Sequence, residues 1–149
     1  MTLTFLGSGT STGVPIIPCQ CPVCTSTDPH DKRLRPSVLL EFDGRAVVID
    51  TTPDFRTQAL RAGMTRLDAV LFTHGHADHI MGLDDTRVFY FRQQVPIPIY
   101  ANAPCLETLH RTFRRCLSVT PLQYRARFSA PVGAYRGSLA RLSNARGNP

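Results

Sequence analysis

Apolar residues recur along the chain in short runs that are typical of β-strands. Two of these runs, PSVLLEF and RAVVID, are separated only by Asp43-Gly44, a dipeptide that favours a type I′ turn, so they predict a β-hairpin. The run LDAVLFTH predicts a buried strand that ends at a group of histidines. The complete set of predicted strands lies at residues 3–6, 36–42, 45–50, 67–74 and 97–101.

Helical spacing of apolar residues appears between these strands. Pro53 and Asp54 open a predicted helix at residues 55–62, a second helix is predicted after the histidines, and Asn102 is placed to cap a third. The third helix carries an apolar stripe formed by Leu106, Leu109, Phe113 and Leu117. Because strands alternate with helices, the pattern predicts an α/β (α+β) domain in which ligands gather at strand ends.

The last part of the chain loses this pattern. Residues 124–149 contain scattered apolar residues, many arginines and no acid, which predicts a poorly ordered tail behind a domain at residues 1–123. Charge divides in the same way. Residues 1–107 hold nine Lys/Arg against eleven Asp/Glu, a balance of −2, whereas residues 108–149 hold eight arginines and no acid, a balance of +8. The formal net charge of +6 is therefore only a weak indication of nucleic-acid binding.

Composition is that of an ordinary globular domain. With 149 residues, 42% of them hydrophobic, the chain is long enough for one core. No apolar run reaches membrane-spanning length and the N-terminus does not resemble a signal peptide, so we expect a cytoplasmic protein without a membrane partner. Structural disulfides are not expected in that compartment, and the five cysteines need another explanation.

The segment FTHGHADHIMGL, residues 72–83, concentrates three of the five histidines. His74 and His76 lie two residues apart at a strand end, so their side chains project to one side, and Asp78 and His79 supply a second pair of donors. Imidazole and carboxylate suit zinc, with manganese and iron as alternatives. Two neighbouring ions would hold a bridging hydroxide for attack on phosphorus or a carbonyl carbon. A chance cluster is the weaker interpretation.

Three further cysteines, Cys19, Cys21 and Cys24, form a C-x-C-x-x-C loop between prolines. Thiols this close in a reducing compartment predict a structural zinc site, and the alternative of a redox pair lacks the helix it would need. His30 is the nearby candidate for a fourth ligand. Cys105 and Cys116 are interpreted as buried packing residues of the last helix.

Residues 3–122 resemble the metallo-β-lactamase superfamily, whose fold is a four-layered αββα sandwich of two similar halves. Within it they are most similar to the branch of the cyclic-phosphoribosyl phosphodiesterase, and more distantly similar to tRNA 3′-processing ribonucleases. The resemblance is densest at residues 74–85. It extends to the segments FLGSGTSTGVP, CQCPVC, RLRPSVLLEF, VIDTTPDFRTQ and LDAVLFTH.

The resemblance implies roles for individual residues. His74 and His76 would ligate a first metal ion, Asp78 and His79 a second, and Asp50 would be an acid behind the ligands. Asp78 is also the candidate for assisting protonation of the leaving oxygen. The cysteine loop would hold a closed zinc site near the active centre. Thr52 departs from the glycine that is common in relatives at this position, which affects only loop detail.

The later ligands of the superfamily pattern have no counterpart here, because the last acid is Glu107 and the last histidine is His110. We therefore expect only the N-terminal portion of the sandwich, from a truncated or frame-shifted product or from a short form completed by another chain. Such a chain should fold poorly alone because one sheet face and one edge stay exposed.

The predicted function is a metal-dependent hydrolase, most simply a phosphodiesterase that uses a metal-bound hydroxide on a small phosphodiester, with activity impaired by the missing ligands. The alternatives are a non-catalytic zinc-binding fragment and a tRNA-processing-type ribonuclease relative. Thioester or lactam hydrolysis is open on the same chemistry, since fold does not fix substrate. The sequence leaves the oligomeric state open.

Overall fold

A computed structural model describes residues 1–114 of the chain. The predicted domain boundary at residue 123 and the predicted tail at 124–149 lie outside these residues. The strands are β1 (Thr2–Gly7), β2 (Ser37–Phe42), β3 (Arg45–Ile49), β4 (Ala69–Leu71) and β5 (Ile99–Tyr100). The α-helices are α1 (Pro22–Thr25), α2 (Phe55–Arg61), α3 (Ala77–Ile80), α4 (Arg87–Gln93) and α5 (Ala103–Thr112), with 3₁₀ turns at Pro29–Asp31 and Leu83–Thr86.

The five strands form one sheet in the order β1-β2-β3-β4-β5. The β1–β2 and β2–β3 pairs are antiparallel, whereas β3–β4 and β4–β5 are parallel. The predicted hairpin is confirmed: Phe42 pairs with Arg45, and φ is 48° at Asp43 and 70° at Gly44. Two consecutive positive φ values define the type I′ turn, and they account for the Asp-Gly dipeptide.

These pairings give β1, β3, β4 and β5 the same direction, so all four end at one edge of the sheet. We call this the carboxyl edge. The glycine-rich loop leaves from it after β1, Asp50 follows β3, and the histidine segment follows β4. The predicted cap of the last helix also lies here, where the Asn102 side chain accepts a hydrogen bond from the Cys105 N–H at 3.0 Å. The polar residues singled out in the sequence therefore converge at this edge.

The core joins one face of the sheet to the helices. Val48, Val70 and Ile99 are at most 1% exposed and belong to the same cluster as Phe55 of α2 and Leu109 of α5. The opposite face is also apolar but lacks a cover in residues 1–114. Its side chains, half-buried or exposed, are Leu3, Phe5, Val38, Leu40, Val47, Ile49, Leu71 and Tyr100. The described residues form one sheet and one helical layer, as expected for the N-terminal portion of the predicted sandwich, and poor folding in isolation stays a prediction.

None of the helices in the described part of the chain combines the length and the apolar character needed to cross a bilayer. The longest of them, α5, has 10 residues.

Candidate metal centre

The histidine segment begins where β4 leaves the core. Phe72 is buried at 5% exposure, and the chain then turns outward into α3, which carries Asp78 and His79. His74 Nε2 lies 3.1 Å from His76 Nδ1, and His79 Nε2 lies 3.3 Å from Asp78 Oδ2. The rings of His74 and His79 are 4.0 Å apart between centroids, which links the two pairs. All four predicted ligands therefore lie in one cluster, arranged as two pairs.

Asp50 is the buried acid of this cluster. Its side chain accepts hydrogen bonds from the Thr73 N–H at 2.8 Å, the Thr73 hydroxyl at 2.7 Å and His79 Nδ1 at 2.8 Å. Because an ionised carboxylate only accepts, the bond to Asp50 places a proton on His79 Nδ1, and in the neutral imidazole Nε2 then keeps its lone pair on the side of Asp78. This is how a carboxylate orients a metal-binding histidine.

The backbone around Asp50 is unusual. Asp50 is 4% exposed and has φ of 61°, a left-handed conformation that aspartate tolerates better than most residues. Its N–H donates to the Leu71 carbonyl at 2.8 Å, and its own carbonyl accepts from the Ser37 hydroxyl at 2.8 Å. Three neighbouring strands thereby fix the position of the carboxylate.

Close packing holds the histidine segment in place from behind. The Gly82 N–H donates to the Thr51 carbonyl at 2.9 Å, and a Cβ at Gly82 would overlap the Thr52 carbonyl oxygen and come within 2.7 Å of Phe55 Cβ. On the other side, a Cβ at Gly75 would meet Thr108 Cβ of α5 at 3.0 Å. The segment is enclosed by α2 and α5 without room for larger side chains.

The donor pairs fit zinc. Two ligand nitrogens on one tetrahedral zinc, each about 2.0–2.1 Å from the ion, stand about 3.3 Å apart, and the observed 3.1 Å between His74 and His76 agrees with this spacing. The 3.3 Å between His79 and Asp78 agrees as well. Each pair offers two of the four donors that zinc takes. Within residues 1–114, no three of the histidine and carboxylate donors at this edge come within 4.8 Å of one another, so each pair needs further ligands.

The cysteine loop is a second candidate site. The sulfurs of Cys19, Cys21 and Cys24 all lie within 4.8 Å of one another, and this is the one such group of three in the described part of the chain. Thiolates on a tetrahedral zinc stand about 3.8 Å apart, so the spacing fits. The pKa of Cys21 is lowered to about 7, mainly by a hydrogen bond from the Cys24 N–H and secondly by hydrogen bonds with the neighbouring thiols. The Ile16 N–H donates to Cys24 Sγ at 3.4 Å.

His30 does not join the cysteine group, contrary to its candidacy as the fourth ligand. Its side chain is 90% exposed, and its Nδ1 lies 2.7 Å from the Asp28 carboxylate. Asp28 also caps the 3₁₀ turn through the His30 N–H, which holds the imidazole away from the sulfurs. Cys105 is buried at 2% exposure, as predicted. The pKa of its thiol is raised to about 11, mainly by burial and secondly by the charge of Asp50. Cys116 lies outside the described residues.

Thr73 is the member of the cluster that sequence reasoning missed. It makes two of the three hydrogen bonds to Asp50, and its hydroxyl lies 3.0 Å from His74 Nδ1. Its position directly before the first histidine was the available signal. A threonine at a strand end has many structural roles, so the sequence alone did not single it out.

An α/β domain with paired histidine and carboxylate donors at the carboxyl edge of its sheet has the arrangement of a metal-binding domain. Residues 45–134, more than half of the chain, match the family described as the beta-lactamase superfamily domain. The chain belongs to the beta-lactamase superfamily.

Solved structures agree with this assignment. A diphosphatase from the PhnP family is 52% identical with a TM-score of 0.76, covering 84% of this chain and 49% of its own. Zinc-bound PqqB from Methylobacterium extorquens is 26% identical with a TM-score of 0.69, covering 84% and 45% respectively. The short form of human tRNase Z is 26% identical with a TM-score of 0.59, covering 85% and 42%.

Curated relatives match a smaller share of their own length. An octanoyltransferase from Porphyromonas gingivalis is 49% identical over 120 residues, which are 77% of this chain and 24% of that protein. Coenzyme PQQ synthesis protein B from Methylobacterium nodulans is 32% identical over 123 residues, 73% of this chain and 40% of that protein. The chain thus spans half or less of the length of these relatives.

Proposed function

We propose that the chain carries the metal centre of a phosphohydrolase that acts on a small phosphodiester or diphosphate. The observation that carries the proposal is the convergence of His74, His76, Asp78 and His79 at the carboxyl edge, with His79 oriented by the buried carboxylate of Asp50. Buried and half-buried ionisable groups arranged in this way are typical of functional sites.

In this proposal each pair of donors holds one divalent ion. His74 and His76 bind the first ion, Asp78 and His79 bind the second, and zinc is the leading candidate, with manganese and iron as alternatives. Bound ions would polarise the phosphoryl oxygens and lower the pKa of a water molecule. The protein supplies orientation: Thr73 and His79 both donate to Asp50, which fixes the His79 ring before an ion arrives.

Asp78 is the proposed proton donor for the leaving oxygen. Its side chain is 22% exposed, so it can be reached by a substrate, whereas the side chain of Asp50 is 6% exposed and engaged by three donors. A carboxylate that would hold an ion through one oxygen keeps its second oxygen for a proton, so Asp78 could act both as ligand and as proton donor, and loss of activity alone would not separate these roles. The test of Asp78 is therefore how strongly the turnover rate of an Asp78 variant depends on the pKa of the leaving group, and not loss of activity alone.

The names of relatives support phosphorus chemistry. The structure that is 52% identical is described as a diphosphatase, and the tRNase at 26% identity keeps a ribonuclease activity as the second candidate. The higher identity favours a small substrate over RNA. The octanoyltransferase name belongs to a protein of which this chain matches only 24%, so it gives no support to acyl transfer here.

For the cysteine loop we propose a structural zinc ion held by Cys19, Cys21 and Cys24. The converging sulfurs, the depressed pKa of Cys21 and the hydrogen bond from the Ile16 N–H to Cys24 support a thiolate site. The fourth ligand is supplied from outside residues 1–114 or by water.

The test combines metal analysis with turnover of bis(p-nitrophenyl) phosphate. The proposal expects three zinc ions per chain and turnover that falls to background in His76→Ala, which should retain the ion of the cysteine loop. His110→Ala is the matched control, because His110 is exposed on α5, and it should leave both metal content and turnover unchanged. One ion per chain and no turnover would instead support the non-catalytic zinc-binding fragment.

A further inference from the structure

Thr73 stands between the buried carboxylate of Asp50 and the first histidine of the cluster. Its hydroxyl oxygen lies 2.7 Å from Asp50 Oδ2 and 3.0 Å from His74 Nδ1. We propose that Thr73 is a positioning residue that connects Asp50 to His74, so that one carboxylate sets the proton position on one histidine of each donor pair. The proposal rests on the metal centre proposed above, but it concerns the hydrogen bonds of the protein itself.

The direction of the hydrogen bonds at Thr73 is the first argument. An ionised carboxylate only accepts hydrogen bonds, so the Thr73 hydroxyl donates its one proton to Asp50. The hydroxyl oxygen then offers only lone pairs to His74 Nδ1. That contact is a hydrogen bond when His74 carries a proton on Nδ1. In the neutral imidazole, His74 Nε2 is therefore left with its lone pair.

Asp50 acts on His79 in the same way but without an intermediate residue. The same oxygen, Oδ2, accepts from His79 Nδ1 at 2.8 Å, and His79 Nε2 faces Asp78 at 3.3 Å. His74 Nε2 likewise faces His76 Nδ1 at 3.1 Å. In both pairs, the nitrogen on the side of the second donor is the one that keeps its lone pair for an ion. One carboxylate oxygen thus controls a ligand in each pair.

The backbone of Thr73 holds the carboxylate in the orientation that this arrangement needs. The Thr73 N–H donates to Asp50 Oδ1 at 2.8 Å, while the hydroxyl of the same residue donates to Oδ2. Both carboxylate oxygens are therefore bound by one residue, which fixes the plane of the group. A valine at this position would keep the N–H bond and the branched shape and would remove only the hydroxyl. Thr73→Val therefore tests the hydroxyl by itself.

Asp50→Asn should reverse both connections. The Thr73 N–H donates to the side-chain oxygen nearest to it, so the asparagine turns its carbonyl oxygen to this N–H and its amide nitrogen takes the place of Oδ2. That nitrogen only donates, so His79 Nδ1 must accept, and the Thr73 hydroxyl turns its proton to His74 Nδ1. Both histidines would then carry their proton on Nε2, on the side where an ion would bind. An amide in place of the carboxylate behind a catalytic histidine is known to impose the wrong tautomer in this way.

The exposure of Thr73 sets the size of the effect expected from its removal. Thr73 is an exposed residue, whereas Asp50 is 4% exposed. In Thr73→Val, a water molecule can therefore take over part of the hydrogen bonding at His74 Nδ1. Partners of metal-binding histidines contribute about 10–100-fold to metal affinity, and we expect Thr73→Val to cost about tenfold, at the lower end of this range.

Long-range proton–nitrogen NMR of the metal-free, full 149-residue chain with isotope-labelled histidine tests the proposal. At about pH 8 the imidazoles are neutral, and the spectrum shows which ring nitrogen carries the proton. We expect Nδ1–H on both His74 and His79. In Thr73→Val, His74 should become a mixture of the two tautomers while His79 stays unchanged, and in Asp50→Asn both should change to Nε2–H. The variants His74→Ala and His79→Ala assign the signals.

Zinc affinity in the same variants, measured by competition with a chelator, connects the proton positions to the ligands. Thr73→Val should weaken zinc binding about tenfold at the pair that contains His74 and leave the pair that contains His79 unchanged. The histidine signals that shift as zinc is added tell the two pairs apart. Thr73→Ser keeps the hydroxyl and should restore both the tautomer and the affinity. Thr57→Val, exposed on α2, is the matched control and should change neither.

Three results would overturn the proposal. They are a proton on Nε2 of His74 in the unaltered chain, an unchanged His74 tautomer in Thr73→Val, and a Thr73→Ser variant that behaves like Thr73→Val. Failure of the proposed function gives a different result. A chain in which His74 and His79 both carry Nδ1–H, but whose histidine cluster takes up no zinc, would refute the metal centre while supporting the proton arrangement proposed here.

Discussion

The cysteine loop and the histidine cluster are both candidate metal sites, and they are assembled in different ways. The three cysteines lie within one six-residue stretch, and their sulfurs already converge. The histidines are also close in sequence, yet the ring of His79 is held by Asp50, 29 residues away, and the whole segment is packed against α2 and α5. One site is built by local chain geometry, and the other by the sheet.

This difference teaches what each site requires. The cysteine site can form even when the core is damaged, as long as its loop can close. The histidine cluster, by contrast, depends on the register of β3 against β4. The first should bind zinc before the domain is complete. The second should bind metal only in the folded domain, because Asp50 is placed by Leu71 and Ser37 on neighbouring strands. Two experiments separate the two behaviours, and a third tests the cysteine loop by itself.

The largest effect is expected for Gly82→Ala. The added Cβ would overlap the Thr52 carbonyl oxygen and crowd Phe55, so the histidine segment must move away from α2. We expect a loss of about 3 kcal/mol in the free energy of unfolding. Denaturant titration measures the loss, and metal analysis should show zinc retained on the cysteines but lost from the histidines. Equal retention at both sites would contradict the distinction.

Asp50→Asn is a milder change, because asparagine keeps the shape and tolerates the left-handed backbone of this position. It removes the charge that His79 and Thr73 donate to. We expect metal affinity at the histidine cluster to fall about 10–100-fold, as for other partners of metal-binding histidines, with no change at the cysteine loop. Competition with a chromophoric chelator measures both affinities. Glu41→Gln, exposed on β2, is the control and should change neither.

The smallest effect is a pH dependence of thiol reactivity in the metal-free chain. The pKa of Cys21 is lowered to about 7, and that of Cys105 is raised to about 11. Since the thiolate reacts, alkylation of Cys21 by iodoacetamide should accelerate roughly tenfold between about pH 6 and pH 8, while Cys105 stays protonated and slow throughout. Mass spectrometry of the modified peptides follows both. Zinc should protect Cys21, and a Cys105 that reacts as fast would contradict this assignment.

The features that depend on neighbouring residues in sequence were predictable. Asp43-Gly44 carries its own turn geometry, Asn102 caps α5, and the apolar strand before His74 ends where the polar segment begins. These signals act over two to four residues, so a single sequence displays them. The four histidine-cluster residues were found for the same reason, since their spacing is local.

Contacts between distant segments were not predictable. Gln58 is fully buried and donates to the Arg35 carbonyl at 2.7 Å, although a glutamine on a short helix looks like a surface residue. Arg35 in turn pairs with Asp54, 19 residues away. Likewise, Gln93 brackets Leu67 with hydrogen bonds to its N–H and carbonyl across 26 residues. Such pairs have no periodic signature, because the fold and not the local sequence brings the partners together.

The left-handed backbone at Asp50 narrows what can ever replace this residue. A glutamate would keep the negative charge, yet it would strain the main chain at φ of 61° and place its oxygens one methylene too far along. Asparagine, which discards the charge, fits the same backbone at little cost. In natural variants and laboratory libraries we therefore expect the negative charge at this position to be lost to asparagine more often than it is kept as glutamate. A variant that has lost the charge in this way would still have an intact fold.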